Sequence, residues 1–251
     1  MVNFRINDEN LSGIEGVIFD KDGTLTDSHV YWAEIIRRRA NKICKFFELR
    51  NYDLYKDLTF TMGLDIGTGR LMPEGPIAIK SRHEVISSLM GYLEKLGYLD
   101  THDTLVNIFK EVSDEFVDVR GYIEPIESCC RLVRKLKEFG VKMSLLTSDT
   151  TSNAEIATDH VGLSNYFDLI LGTDKVNEKK SSGKTALYAC ECMSLLPEKV
   201  IAIGDTEVDY IMSQKAGLGG CILVSTGQVP VVELSKRTKF SVSSLEEVDL
   251  L

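Results

Sequence analysis

The stretch Gly16-Val17-Ile18-Phe19-Asp20-Lys21-Asp22-Gly23-Thr24-Leu25-Thr26-Asp27-Ser28 decides how the rest of the chain is read. An apolar run leads directly into an acidic residue, as in a parallel strand that is buried on both faces and reaches the open edge of its sheet. Two carboxylates, Asp20 and Asp22, stand two residues apart, and Gly23 permits a tight turn after them. In an α/β sheet the ligand crevice lies beyond the carboxyl ends of the strands, so both acids are expected to face it. A strand followed by a polar turn is the plainer reading of Asp-Gly, and it weakens because further strands end in the same way.

Val141-Lys142-Met143-Ser144-Leu145-Leu146-Thr147-Ser148 is such a strand, ending in hydroxyls. Val200-Ile201-Ala202-Ile203-Gly204-Asp205 ends in another acid, and Asp209 follows four residues later, one helical turn away. An acidic helix start alone would merely favour the helix dipole. Between these lie a short apolar strand, Asp168 to Leu171, and helical patterns over Ile126–Phe139, Ala186–Leu196 and Glu207–Ala216. Ser152-Asn153-Ala154-Glu155 has the form of a capping box. Cys221–Val224 is a fifth apolar strand, and five strands alternating with helices predict a doubly wound parallel sheet.

Residues 27–122 follow a different grammar. Ile36, Ala40, Ile43 and Phe47 recur at helical spacing, with Arg37, Arg38 and Arg39 assigned to a solvated face. Two further helical patterns run from Ile86 to Leu96 and from Leu105 to Val119. A Gly-rich and Pro-containing loop over residues 60–80, which includes Met62 to Arg70, precedes them, and no convincing strand is visible. The expectation is therefore an α/β core over residues 1–26 and 123–251, interrupted by a helical cap over residues 27–122. The last dozen residues carry little signal.

Composition sets outer limits. The chain has 251 residues, enough for one large core or a core with a smaller domain. A net charge of −9 leaves no basic surplus to displace counterions, so nucleic acid is not an expected partner. A small phosphorylated metabolite, which needs only local positive charge, stays open. The six cysteines contain no Cys-x-x-Cys and no disulfide framework, and Cys130 and Cys190 are expected as small core residues. No apolar run suits secretion or a membrane span, so a cytoplasmic location is expected. Oligomeric state is not readable.

The Asp-x-Asp-Gly-Thr string at Asp20, the strand ending at Thr147 and the Gly-Asp-x-x-x-Asp string at Gly204–Asp209 together resemble the haloacid dehalogenase superfamily. The likeness covers most of the core. The insert occupies the place of the helical cap in phosphoglycolate phosphatase-like and β-phosphoglucomutase-like members. The resemblance implies a Rossmann-like core and a phosphatase that works through an aspartyl phosphate on Asp20, with Asp22 as general acid and base. It also implies phosphate contacts from Gly23, Thr24, Thr147 and Ser148, and Mg²⁺ held by Asp20, the Asp22 carbonyl and Asp205, with Asp209 behind them. Hard oxygen donors of this kind suit Mg²⁺.

The family's third motif is a lysine, usually followed by proline, and here the sequence departs from it. Subgroup spacing falls on Lys180 with Ser181 in the proline position, and Lys184 is the alternative. Gly183-Lys184-Thr185 is not a Walker loop, because Glu178 fills the earlier glycine position. A phosphomutase uses the same residues and remains the second reading, with a non-catalytic phosphate-binding module third. Arg70, Lys80, Arg82 and His83, in or beside the cap loop, are candidates to meet a substrate anion, and Arg70 and Arg82 are singled out for specificity. The substrate itself is not readable.

Overall fold

The computed structural model describes residues 1–77, 81–116, 118–172, 174–176 and 178–251. Val2, Phe4 and Ile6 are buried and alternate with exposed Asn3 and Arg5 along strand β1 (Val2–Ile6). The chain turns at Asn7, which holds a positive φ of 52°, into antiparallel β2 (Glu9–Ile14). Every residue of β3 (Gly16–Phe19) is buried, so its apolar run is continuous where β1 alternates.

Residues Ser28–Tyr122 form one of two compact units. Helix α1 (Ser28–Phe46) is followed by α2 (Tyr52–Thr61), which Asn51 caps by accepting from Asp53 N at 2.9 Å. Two short strands, β4 (Leu64–Asp65) and β5 (Arg70–Leu71), pair antiparallel. Helix α3 (Arg82–Lys95) opens with a reciprocal capping box between Ser81 and Glu84, and α4 (His102–Glu115) completes the unit. Ile36, Ile43, Leu58, Leu89, Leu105 and Phe109 share its core.

Three expectations for this stretch are corrected. Helix α2 was not anticipated, because its apolar residues are few: only Leu58 and Thr59 are buried. The loop without strands contains the β4–β5 pair, closed where Asp65 Oδ1 accepts from Gly67 N at 2.8 Å. Arg39 is not on a solvated face. At about 100° per residue Arg37 and Arg38 turn away from the stripe of Ile36, Ala40 and Ile43, whereas Arg39, three residues after Ile36 and four before Ile43, comes back round to it. Arg39 turns inward between Ile36 and Ile43, is 4% exposed, and lays its guanidinium 4.0 Å from the centre of the Phe109 ring.

The second unit comprises Met1–Asp27 and Ile123–Leu251. Its later elements are α5 (Glu127–Glu138), β6 (Lys142–Leu146), α6 (Thr151–His160), β7 (Leu169–Leu171), α7 (Lys184–Cys192), β8 (Val200–Gly204), α8 (Glu207–Ala216), β9 (Gly220–Val224), the single turn α9 (Val231–Leu234), β10 (Ser241–Val242) and β11 (Val248–Leu250). A parallel sheet runs in the order β10-β9-β8-β3-β6-β7. It thus gains β10 beyond the five strands expected. Val17 and Phe19 pack with Cys129, Val133 and Leu136 of α5 on one face, and Ile18 packs with Ala186 and Ala189 of α7 and Met212 of α8 on the other. Helices on both faces make the sheet doubly wound.

The silent ends of the sequence fold together. β11, β1 and β2 form a three-stranded antiparallel sheet whose Phe4 and Ile6 join the core beside Val17. The capping box assigned to Ser152 lies one step inside its helix. Thr150 is the cap, accepting from Asn153 N at 3.2 Å. Cys130 and Cys190 are buried among apolar neighbours, the role small thiols commonly fill. No helix among the described residues is long and apolar enough to cross a membrane.

Candidate active site

Register brings the acids together. Phe19 of β3 lies opposite Leu145 of β6 and Ile203 of β8, so the three strands stop at one level. Asp20 follows β3, Thr147 closely follows β6, and Asp205 follows β8. The Asp20 amide donates to Ile203 O at 2.9 Å, which extends the ladder to the crevice edge.

Asp209 is brought in by helix geometry. Thr206 caps α8, and the Asp209 carboxylate accepts from Thr206 N at 3.1 Å and from its hydroxyl at 2.8 Å. Carboxylate oxygens of Asp20, Asp205 and Asp209 all lie within 4.8 Å of one another. Like charges so close demand compensation.

Lys180 provides part of it. The lysine opens a turn of 3₁₀ helix that ends at Gly183, whose φ is +80°. A Cβ on Gly183 would sit 2.9 Å from Ala216 N, so glycine lets this turn press against the end of α8. Lys180 Nζ then reaches Asp20 Oδ1 at 2.5 Å and Asp209 Oδ1 at 2.6 Å. Lys184 points elsewhere, pairing on the surface with Glu178 at 2.5 Å. The structure therefore brings Lys180, and not Lys184, to the acids.

Burial raises the Asp20 carboxyl to about 6, against which the Lys180 charge acts. Burial, then Asp20 and Asp209, push Asp205 well above the usual carboxylate range. Burial also works against the Lys180 ammonium, but its two carboxylates more than offset that and hold its pKa above the ordinary lysine range. One lysine among three acids leaves negative charge uncompensated. Asp205 Oδ1 is buried and accepts no hydrogen bond among the described residues.

Backbone closes around the same acid. A Cβ at Gly227 would stand 1.8 Å from Asp205 Oδ2, and one at Gly23, whose φ is +85°, would stand 2.3 Å from it. Thr226 binds this loop to the β3 turn by donating to Gly23 O at 2.6 Å.

The other anticipated residues divide. Thr147 is buried, and its oxygen accepts from Asp149 N at 3.1 Å, which leaves the hydroxyl as a donor. Ser148 is exposed beside it. The amides of Gly23 and Thr24 close the turn internally, to Thr26 O at 2.7 Å and Lys21 O at 3.3 Å, and the Thr24 side chain is fully buried. Asp22 is partly exposed, with Lys21 Nζ 3.0 Å from its Oδ1. Arg70, Arg82 and His83 are exposed on the helical unit, and Lys80 lies outside the described residues. Sequence reasoning passed over Lys21, Asp149, Thr226 and Gly227. A lysine between two crevice acids was the one available signal, because a buried ammonium needs partners.

A family model described as haloacid dehalogenase-like hydrolase matches residues 14–217. A phosphoglycolate phosphatase of Aquifex aeolicus is 29% identical over 227 residues, spanning 88% of this chain and 92% of its own length. A phosphorylated carbohydrates phosphatase of Thermotoga maritima is 26% identical over 205 residues, 82% of each chain. Among solved structures, a haloacid dehalogenase-like family hydrolase of Streptococcus pneumoniae superposes with a TM-score of 0.67 at 17% identity, over 94% of this chain and 97% of the other. A β-phosphoglucomutase of Clostridium difficile superposes with a TM-score of 0.60 at 22% identity, over 93% and 92%. At such identities the superpositions establish the fold.

Proposed function

This chain belongs to the haloacid dehalogenase-like hydrolase family, and from that premise we propose that it is a Mg²⁺-dependent phosphatase of a small phosphorylated metabolite, acting through an aspartyl phosphate. The observation that carries the reading is Asp20 itself. It is a strand-end carboxylate, ion-paired to a buried lysine and set beside two more acids. Relatives named as phosphatases match over most of their length, which favours hydrolysis over phosphoryl migration.

The donor set fits a hard divalent cation. Two of the three clustered carboxylates, Asp20 and Asp209, pair with Lys180, while Asp205 keeps a buried oxygen with no hydrogen-bond partner among the described residues. Asp20, Asp205 and the Asp22 carbonyl would hold Mg²⁺, with Asp209 behind them, and a bound ion there would neutralise charge on the phosphoryl oxygens. Asp20 attacks phosphorus in line, a covalent strategy that splits one hard displacement into two. Asp22 protonates the departing ester oxygen and then takes a proton from the water that cleaves the acyl phosphate. Lys180 offsets charge on the transferring group, and the Thr147 hydroxyl donates to one of its oxygens. The helical unit acts as the cap that selects the rest of the substrate.

Phosphate release from a panel of phosphorylated two- to six-carbon metabolites tests this reading. Turnover should require added Mg²⁺ and stop with a chelator. Full activity in the metal-free protein, or no release from any ester, would overturn it. Isomerised sugar phosphate in place of free phosphate would make the protein a mutase.

A further inference from the structure

Lys21 stands between the two acids of the crevice turn and is buried, its side chain only 7% exposed. Such burial is costly for an ammonium unless carboxylates surround it. Its Nζ lies 3.0 Å from Asp22 Oδ1 and 3.0 Å from Asp149 Oδ2.

Both ends of this bridge are fixed. The Lys21 carbonyl accepts from the amides of Thr24, Leu25 and Thr26 at 3.3, 2.8 and 2.9 Å, which locks the turn around it. Asp149, on the loop between β6 and α6, has its other oxygen held by Thr150 N at 2.7 Å and Asn153 Nδ2 at 2.9 Å. Its amide in turn donates to Thr147 Oγ. One chain of contacts therefore runs from the hydroxyl at the end of β6 through Asp149 and Lys21 to the Asp22 carboxylate.

We propose that Lys21, anchored by Asp149, is a positioning residue that fixes the Asp22 carboxyl group so that, when protonated, it delivers its proton to the leaving group. The inference rests on the phosphatase reading above. In the first step the Asp20 Oδ–P bond forms and the ester P–O bond breaks. The departing oxygen keeps the bonding pair and takes the proton carried by Asp22. While Asp22 holds that proton, Asp149 keeps the buried ammonium paired, so the bridge persists through the step. Without Lys21, Asp22 is a partly exposed side chain on a turn, free to rotate away. Orientation of this kind decides whether a general acid delivers its full effect.

Leaving-group dependence separates this role from a structural one. An alkyl phosphate leaves as a strongly basic alkoxide and needs the acid, whereas a dinitrophenyl phosphate does not. kcat/KM reports only the steps through the first irreversible one, so later use of Asp22 as a base does not intrude. Lys21→Met is expected to lower kcat/KM for the alkyl ester by about ten- to a hundredfold, within the range that general acids supply, and for the activated ester by less than about threefold. Lys21→Arg should recover most of the loss. Asp149→Asn should reproduce the selective loss in a chain that retains Lys21, and the double variant should be no worse than Lys21→Met alone.

Equal losses on the two esters overturn the proposal, as do additive losses in the double variant. Asp22→Asn separates the two levels of the argument. A selective loss in Asp22→Asn without one in Lys21→Met or Asp149→Asn sinks the Lys21 role and leaves the phosphatase reading standing. No turnover of either ester by the wild-type protein sinks both.

Discussion

At the scale of single residues, the site concentrates acid in a buried place and balances it incompletely. The folded chain holds the Asp20 proton to about 6, above the ordinary value of 3.8. Between those values the folded state binds more protons than the unfolded state, so metal-free stability should fall as pH rises through that window. Mg²⁺ bound at these carboxylates would compete with those protons. The gain in thermal midpoint on adding Mg²⁺ should therefore be larger at pH 7 than at pH 5, and an equal gain at both would count against the acid cluster as the metal site. The lysines give a second prediction. Lys180→Ala should reduce turnover by at least about a hundredfold, the usual scale for losing a group that stabilises transition-state charge. Lys184→Ala removes one surface ion pair and should stay within about threefold of wild type. The reverse ranking in kcat would move the third motif to Lys184.

At the scale of elements, what was legible depended on how strong the local pattern was. Continuous apolar runs announced β3, β6 and β8, and Gly217 announced the end of α8 at Ala216, because burial on two faces and a left-handed cap leave clear traces. The crevice acids were legible for the same reason, being the first polar residues after such runs. Helix α2 was not, with only two buried residues, nor were β1 and β11, where short alternating strands meet from opposite ends of the chain. Lys21 shows the limit most clearly. Its partner Asp149 lies 128 residues away, and no local pattern encodes that approach. Arg39 misled because charge was read as exposure. Its Nε is buried with no hydrogen-bond partner among the described residues, and burial, with Arg82 nearby, weakens the guanidinium's hold on the proton. A linear apolar side chain avoids that desolvation and keeps contact with Phe109. Arg39→Met should therefore keep or raise the denaturant midpoint. A loss of more than about 2 kcal/mol would show that the cation–ring contact outweighs its desolvation cost.

At the scale of the whole molecule, the chain divides its chemistry between two units. The α/β unit carries every acid of the site and Lys180, and in the proposed reading Asp20, Lys180 and Thr147 would meet the phosphoryl group. The helical unit carries exposed Arg70 and Arg82 and is the proposed cap. Arg70→Ala and Arg82→Ala should therefore shift preference among natural phosphate esters while changing turnover of a small generic aryl phosphate by less than about threefold, provided that remote contacts of the substrate serve to orient it. Equal losses on both kinds of ester, in folded protein, would remove specificity from the helical unit.

The central claim is that Asp20 becomes phosphorylated. Rapid acid quench during turnover, followed by peptide mass spectrometry, tests it directly, since acyl phosphates survive acid long enough to be mapped. The peptide containing Asp20 should gain the mass of one phosphoryl group in the presence of Mg²⁺ and substrate, and Asp20→Asn should show neither the adduct nor turnover. Turnover with no adduct on Asp20, or with the phosphoryl group on another residue, would contradict the account.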